Sequence, residues 1–375
     1  MWQPPPAKVV DSNGSRPHVR PVGLLFILLH VYIAVRLLPP LEPWGQILGL
    51  VIVGTSLWLV PKGWWVQKAS PRKVMARWVA MGFFSWLFVL TVVRDVALLF
   101  TDRWVAESAL AILVATPVIT AIGFLMARRV ARVVDIRVPV EKLHAALEGF
   151  TIAQISDVHV GPTIRREFVE RIVERVNGLR ADMVAITGDL VDGSVAQLSA
   201  HTAPLANLKS RHGTYVVTGN HEYYSGAQSW IDELERLGAH VLLNEHVVID
   251  HDGAPITVAG VTDYSAHHFD ESHRSDPALA LRGAPGDSAK VLLAHQPRSA
   301  PSAAAAGYDL QLSGHTHGGQ FWPWNLFVRF SQPFTAGLHK LGRMWIYISR
   351  GTGYWGPPMR FGVPSEITRI RLTRA

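Results

Sequence analysis

An aspartate and a histidine two residues apart, Asp157 and His159, follow a short apolar run and lie just before Gly161. Further along stand Gly188-Asp189, Gly219-Asn220-His221-Glu222, His295, and Gly314-His315-Thr316-His317 with two more glycines behind it. Each piece alone is ordinary, because Asp often caps a helix and Gly-Asp is a common turn. Together Asp157, His159, Asp189, Asn220, His295, His315 and His317 supply two carboxylates, one amide oxygen and four imidazoles, a donor set that suits manganese, iron or zinc better than calcium. The 375 residues contain no cysteine, which excludes thiolate metal sites, disulfides and a cysteine nucleophile. Glycine beside most of the donors lets the backbone turn tightly and lets metal and substrate approach. Two divalent ions held about 3.5–4 Å apart stabilise the charge that builds on phosphoester oxygens and make hydroxide available near neutral pH.

In order and wording the clusters resemble the calcineurin-like metallophosphoesterases, whose pattern is D-x-H, G-D, G-N-H-[DE], H, G-H-x-H. Ser156–Gly161, His315–Gln320 and Ser349-Arg350-Gly351 resemble a membrane-associated bacterial branch of that family. The resemblance spans about residues 150–372. It implies that Asp157, His159 and His317 hold one divalent metal, that Asn220, His295 and His315 hold a second, and that Asp189 bridges the two. It further implies that His221 bonds the scissile phosphate or protonates the leaving oxygen, with Glu222 orienting His221. The implied reaction is hydrolysis of a phosphodiester, phosphomonoester or pyrophosphate by a metal-activated hydroxide.

These residues need a frame that brings five segments to one place. The β-rich runs Phe150–Ile155, Met183–Thr187, Thr214–Thr218, Lys290–Ala294 and Asp309–Leu312 each end at one of the clusters. Arg165–Leu179 and Ala227–Leu237 read as amphipathic helices between them, and Trp345–Ser349 and Glu366–Leu372 as further strands. Alternating strands and helices give an α/β architecture with ligands at the carboxyl ends of the strands. The resemblance makes this a four-layer α-β-β-α sandwich over residues 150–375, with 128–149 as a linker.

The preceding residues differ in kind. Residues 1–144 carry 16 Lys+Arg and 7 Asp+Glu with three histidines; the rest carries 20 basic and 22 acidic residues with fourteen histidines. The net charge of +7 therefore lies wholly in the first part, which argues against a nucleic-acid partner for the catalytic part. Four apolar runs, 22–38, 44–60, 78–100 and 108–127, make an all-α membrane domain of about four helices behind a tail at 1–21. A cleaved signal peptide is the rival reading of the first run. Basic residues gather in the tail (Lys8, Arg16, Arg20), in the second loop (Lys62, Lys68, Arg72, Lys73, Arg77) and after the fourth run (Arg128, Arg129, Arg132, Arg137). Basic loops face the cytoplasm, which places both termini and the catalytic part on the cytoplasmic side of an inner membrane. Arg94 and Asp95 near the end of the third run read as charges reaching the headgroups rather than a conduction path.

Substrate signals are fewer. Arg350 and Arg360 flank a Gly/Pro-rich stretch and are candidate phosphate contacts, and Tyr223 and Tyr224 are candidate pocket walls. Phe321–Phe334 is dense in aromatics; it reads as strands packing a second layer, or as an apolar lip for a bilayer or an acyl chain. The leading expectation is a membrane-anchored phosphoesterase whose partners are a lipid bilayer and a phosphoester, lipid-linked on the lip reading. The alternatives are a nuclease or nucleotide phosphodiesterase on the same site, and a transport or signalling protein with a nucleotide-binding soluble domain.

Overall fold

The computed structural model describes residues 19–60 and 70–375, with side chains from residue 23 onward. The tail expected at 1–21, apart from the first turn of the first helix, lies outside the described residues, as do Lys62 and Lys68. The chain divides into two compact units: the described part of residues 2–128 together with Gly356–Phe361, and Arg129–Trp355 with Gly362–Ala375.

The first unit is helical: α1 (Val19–Leu37), α2 (Pro43–Leu59), α3 (Pro71–Leu98) and α4 (Val105–Ala127). Proline stands in the first turn of α2 and α3, where its missing N–H costs nothing. Ile33, Leu37, Val53, Phe84, Leu87, Ala109 and Leu113 form the core, yet Leu24, Leu28, Val35, Ile47, Val51, Trp58, Val96 and Leu125 face outward. The helices of this unit are therefore apolar on both faces. By length and composition α3 and α4 can cross a membrane, whereas the apolar parts of α1 and α2 are shorter, at Gly23–Leu37 and Pro43–Leu59. Arg94 is buried and fully engaged: its guanidinium reaches Ser108 Oγ (3.0 Å), the Val105 carbonyl (2.8 Å) and Asp95 (3.2 Å). Asp95 also accepts from Tyr32 (2.6 Å) and Arg36 (2.8 Å), so the charges of α3 tie three helices together. Gly82 and Gly123 open a slot for Met359 from the returning segment, and the Arg360 amide donates to the Gly123 carbonyl at 3.1 Å.

The second unit holds two six-stranded mixed sheets. One runs β1 (Arg132–Val140), β12 (Glu366–Arg374), β2 (Thr151–Ile155), β3 (Met183–Thr187), β4 (Thr214–Val217), β5 (His240–Val241) in spatial order. The other runs β10 (Gly337–Leu341), β11 (Met344–Ile348), β9 (Leu310–Ser313), β8 (Ala289–Leu293), β7 (Ala254–Gly260), β6 (Glu245–His251). Alternate residues of the two sheets meet in one core, with Ile152, Met183, Ala185, Val217 and Ile370 against Ile256, Val258, Val291, Leu293 and Leu312. The intervening positions face helices, as with the buried face Phe168, Val169, Ile172, Val173 and Val176 of α5 (Arg166–Asn177). The remaining helices are α6 (Val195–Thr202), α7 (Asn220–Ser225), α8 (Ala227–Arg236), α9 (Pro277–Ala280) and α10 (Ala300–Ala306).

Two expectations change. Residues 128–149 are not a linker throughout, because 132–140 form β1, paired in parallel along its whole length with β12. Its outward Arg132, Asp135 and Arg137 suit an edge strand, while Val138 and Val140 enter the core. Phe321–Phe334 forms no strand; it folds into 3-10 turns at Trp324–Leu326 and Val328–Phe330.

Candidate metal centre

The five clusters leave the carboxyl ends of β2, β3, β4, β8 and β9 and converge. Asp157, His159 and His317 form one group of donors, and Asp189, His295 and His315 another, the ligand atoms within each lying within 4.8 Å of one another. Asp189 Oδ2 stands 3.1 Å from His295 Nε2, and 4.0 Å from both His159 Nε2 and His221 Nε2. Asn220 joins the second group through its Oδ1, 3.1 Å from His315 Nδ1. Steric room is tight enough to require glycine. A Cβ on Gly314 would collide with Ser156 Oγ and Asp157 Oδ2, and one on Gly219 with the Asp189 carboxylate.

The donor chemistry fits cations. His295 Nδ1 lies 2.7 Å from the Thr187 carbonyl and can only donate to it, so in a neutral ring the Nε2 lone pair faces Asp189 Oδ2. His159 repeats this: Nδ1 donates to Asp192 Oδ1 (2.9 Å), which turns Nε2 toward His317 Nε2 at 3.0 Å. A shared proton or a bound cation satisfies atoms at such distances. Asp157 Oδ2 is buried with no hydrogen-bond partner, and a buried orphan oxygen is costly unless a cation satisfies it. The ionisation of the site carries the same demand. Burial opposes charge on His295, but Asp189 overcomes it and raises the imidazole well above its ordinary value. Burial likewise opposes the Asp189 carboxylate, and His295 and His221 hold it well below the usual range. Burial lowers His315 to about 3, with the neighbouring His295 acting in the same direction, so it is a neutral donor.

Two carboxylates set the loops. Glu222, on α7, does not touch His221. Its Oε2 accepts from the amides of Asp189 (2.9 Å) and Gly219 (2.6 Å), and its Oε1 from Leu190 (2.8 Å) and Val191 (3.3 Å). It therefore clamps the β3 loop to the β4 loop, and the expectation that it orients His221 is replaced. Asp192 takes that place, with Oδ1 2.6 Å from His221 Nδ1 as well as 2.9 Å from His159 Nδ1. Burial works against ionisation of Asp192, but the two imidazoles outweigh it and hold the carboxyl below its ordinary range. Burial also opposes charge on His221, and Asp189 and Asp192 push it up to about 9. Sequence reasoning missed Asp192. The available signal was a further carboxylate three residues past Asp189, in the same loop.

The substrate candidates separate. Arg350 packs its stem 3.2 Å from a Cβ position at Gly318 and donates through Nη1 to Glu366 (2.8 Å). Arg360 is fully buried within the helical unit, so a solvent-facing loop is not its setting. Tyr224 stacks edge-on to His221 at 5.2 Å between ring centroids, while Tyr223 is buried with its hydroxyl 2.7 Å from His273 Nδ1.

Residues 150–319 match the family described as calcineurin-like phosphoesterase. A Campylobacter jejuni protein named uncharacterized metallophosphoesterase is 31% identical over 78% of this chain and 76% of its own length. The Bos taurus "transmembrane protein with metallophosphoesterase domain" is 40% identical over 73% of this chain and 64% of its own, and an uncharacterized metallophosphoesterase of Helicobacter pylori is 45% identical over 59% of each. The chain belongs to the calcineurin-like phosphoesterase family. It spans about three-fifths of the length of the Bos taurus and Helicobacter pylori relatives, and the vertebrate match removes any restriction to a bacterial branch.

Proposed function

We propose that this protein is a membrane-anchored phosphoesterase that uses two divalent metal ions to hydrolyse a phosphodiester, phosphomonoester or pyrophosphate, with a lipid-linked substrate. The observation that carries the reading is the position of Asp189 Oδ2 between two donor groups. Asp157, His159 and His317 would hold one ion, Asn220, His295 and His315 the other, and Asp189 both. When bound, the pair supplies positive charge to phosphate oxygens and makes water acidic enough to react near neutral pH. Manganese, iron and zinc all suit the donors.

The remaining chemistry belongs to side chains. Asp192 accepts from His221 Nδ1, which fixes the ring and leaves Nε2 on the side of Asp189. With its charge supported by the two carboxylates, His221 donates from Nε2 to a phosphate oxygen and then to the leaving oxygen. Glu222 keeps the loops bearing Asp189 and Asn220 in register. The outward apolar faces of α1–α4 and the length of α3 and α4 support the anchor. The basic loops support an inner-membrane location with both termini cytoplasmic.

The test uses the full chain in detergent, loaded with manganese, on bis(p-nitrophenyl) phosphate and p-nitrophenyl phosphate. Asp189→Asn should abolish measurable turnover and lower bound metal, and His221→Ala should cost at least a hundredfold in kcat with metal retained. Turnover unchanged in Asp189→Asn would overturn the two-metal reading.

A further inference from the structure

The turn that carries His315 and His317 runs directly into a segment whose large apolar side chains face outward. Leu326, Phe327 and Phe330 are exposed, Phe330 by 77%, and Trp324 is also exposed at 41%. The rings of Trp324, Phe327 and Phe330 form a chain with centroid spacings of 6.0 and 6.4 Å. Exposed Arg329 lies over Phe330 at 5.2 Å, and the Arg298 guanidinium reaches the Ser331 carbonyl at 2.9 Å. Large apolar residues would normally be withdrawn from water, and here two short 3-10 turns hold them out. The segment is fixed to the metal centre at its base. A Cβ on Gly319, two residues past His317, would collide with the backbone of Asn325.

What covers this surface follows from its size, its charge and the rest of the chain. With roughly 200 Å² for a large side chain, the four residues leave on the order of 450 Å² of apolar surface. That is within the range that marks a contact surface on a monomer, and well short of the ~800 Å² per partner that a stable dimer buries. Aromatic and aliphatic side chains beside arginine are the composition of segments that lie in the headgroup layer of a bilayer. The same chain carries two helices long and apolar enough to cross a membrane, so a tethered bilayer surface is always at high effective concentration.

We infer that the Trp324–Phe330 segment enters the headgroup layer of a bilayer and delivers a lipid-borne phosphoester to the adjoining metal centre. The inference rests on the phosphoesterase reading for its second half and is independent of it for the first. Phe327 and Phe330 go among the upper acyl carbons, and Arg329 stays with the phosphates. The substrate class is thereby a phosphoester whose alcohol is anchored in the membrane, presented edge-on rather than extracted into a closed pocket.

The native chain lacks cysteine, so a single introduced thiol reports one position. F327C and F330C, each labelled with an environment-sensitive nitrobenzoxadiazole, are reconstituted in vesicles of phosphatidylcholine and phosphatidylglycerol, with D252C as the exposed control. Both segment labels should shift to the blue and be quenched by lipids spin-labelled near the headgroup, and the control should not. In parallel, the Phe327→Ser/Phe330→Ser double variant is assayed on a dialkylglycerol p-nitrophenyl phosphodiester in the bilayer and on soluble bis(p-nitrophenyl) phosphate. Lipid-diester turnover should fall at least tenfold and soluble-diester turnover stay within twofold, which also certifies the fold. Unquenched labels overturn the docking, and so does quenching between copies in place of quenching by lipid. Quenched labels with equal turnover of both diesters by the double variant overturn the delivery role. If the native chain hydrolyses neither diester, the phosphoesterase reading fails while the labels still report on docking.

Discussion

Glu222→Gln separates clamping from orienting, because it keeps shape and removes only the charge and one acceptor oxygen. In the native site two oxygens serve four amides, at 2.9 and 2.6 Å on one side and 2.8 and 3.3 Å on the other. A glutamine keeps one oxygen, and its NH2 must face two N–H donors. The cheaper orientation sacrifices Leu190 and the long Val191 contact, retaining Asp189 and Gly219. A buried hydrogen bond to a charged acceptor contributes about 1.5–3 kcal/mol, so the loss is on the order of 3–5 kcal/mol. For a unit of this size that lowers the melting temperature by about 10 °C. The assay is thermal unfolding of the full chain in detergent, followed by near-ultraviolet circular dichroism, with bound manganese measured on the same samples. The variant should melt early and bind less metal, because the clamped amides include that of Asp189. A variant that melts like the native chain, keeps its manganese and loses only kcat would refute the clamp and return Glu222 to an orienting role.

The other expectations concern the same loops. Gly314→Ala would drive a Cβ into Ser156 Oγ and Asp157 Oδ2; elemental analysis should show metal lost from the Asp157 group while the Asp189 group retains most of its ion. Asp192→Asn should lower kcat at least tenfold, because the amide oxygen left to accept from His221 Nδ1 carries no charge to support a protonated ring, with KM changed little, as steady-state kinetics on a soluble diester will show. In the metal-free protein His221 is raised from 6.5 to about 9. Its stabilising contribution is therefore complete below pH 6.5 and lost as pH rises through 9. Melting temperatures of the metal-free chain should fall across that window, and Asp192→Asn should flatten the fall.

The donors were legible because chemistry restricts them. Few residue types can ligate a divalent ion, and each stands at the end of an apolar run, with glycine beside Asp189 and His315, so Asp157, Asp189, His295 and His315 announce themselves. The strands β2, β3, β4, β8 and β9 were legible for the same reason, as continuous apolar runs buried on both faces. What stayed hidden depends on neighbours that are distant in sequence. β1 exists because β12 offers an edge 234 residues away at the Arg369–Asp135 contact, and its arginines disguise the alternation. Glu222 looked like a partner for adjacent His221, but the helix of α7 points its carboxylate back at the β3 loop. Phe321–Phe334 has the composition of a strand and the turns of a loop, since composition alone does not say which way a ring faces. Arg360 read as a candidate phosphate contact beside prolines, and only the slot at Gly82 and Gly123 shows why its segment is buried.

The backbone of the site explains why so many contacts converge on it. Asp157 (φ 54°), His159 (54°), Asp189 (51°), His315 (71°) and His317 (50°) all adopt left-handed conformations. Such a conformation costs an L-residue on the order of 1–2 kcal/mol, so five of them consume a substantial share of a stability of about 5–15 kcal/mol. The cost is offset locally. The Asp157 amide donates to the Gly188 carbonyl, the His159 amide to that of Asp189, the His315 amide to Asp157 Oδ1 and the His221 amide to Asp189 Oδ1. Each of these bonds joins one left-handed turn to another cluster, so the turns hold one another in place. An extended strand would point residues two apart in parallel; the left-handed turns instead bring Asp157 and His159 into one donor group and direct His317 to that group and His315 to the other. The donors are thus tied to one another through the backbone, and the strain they carry makes these turns the first part of the second unit to loosen when metal is withheld.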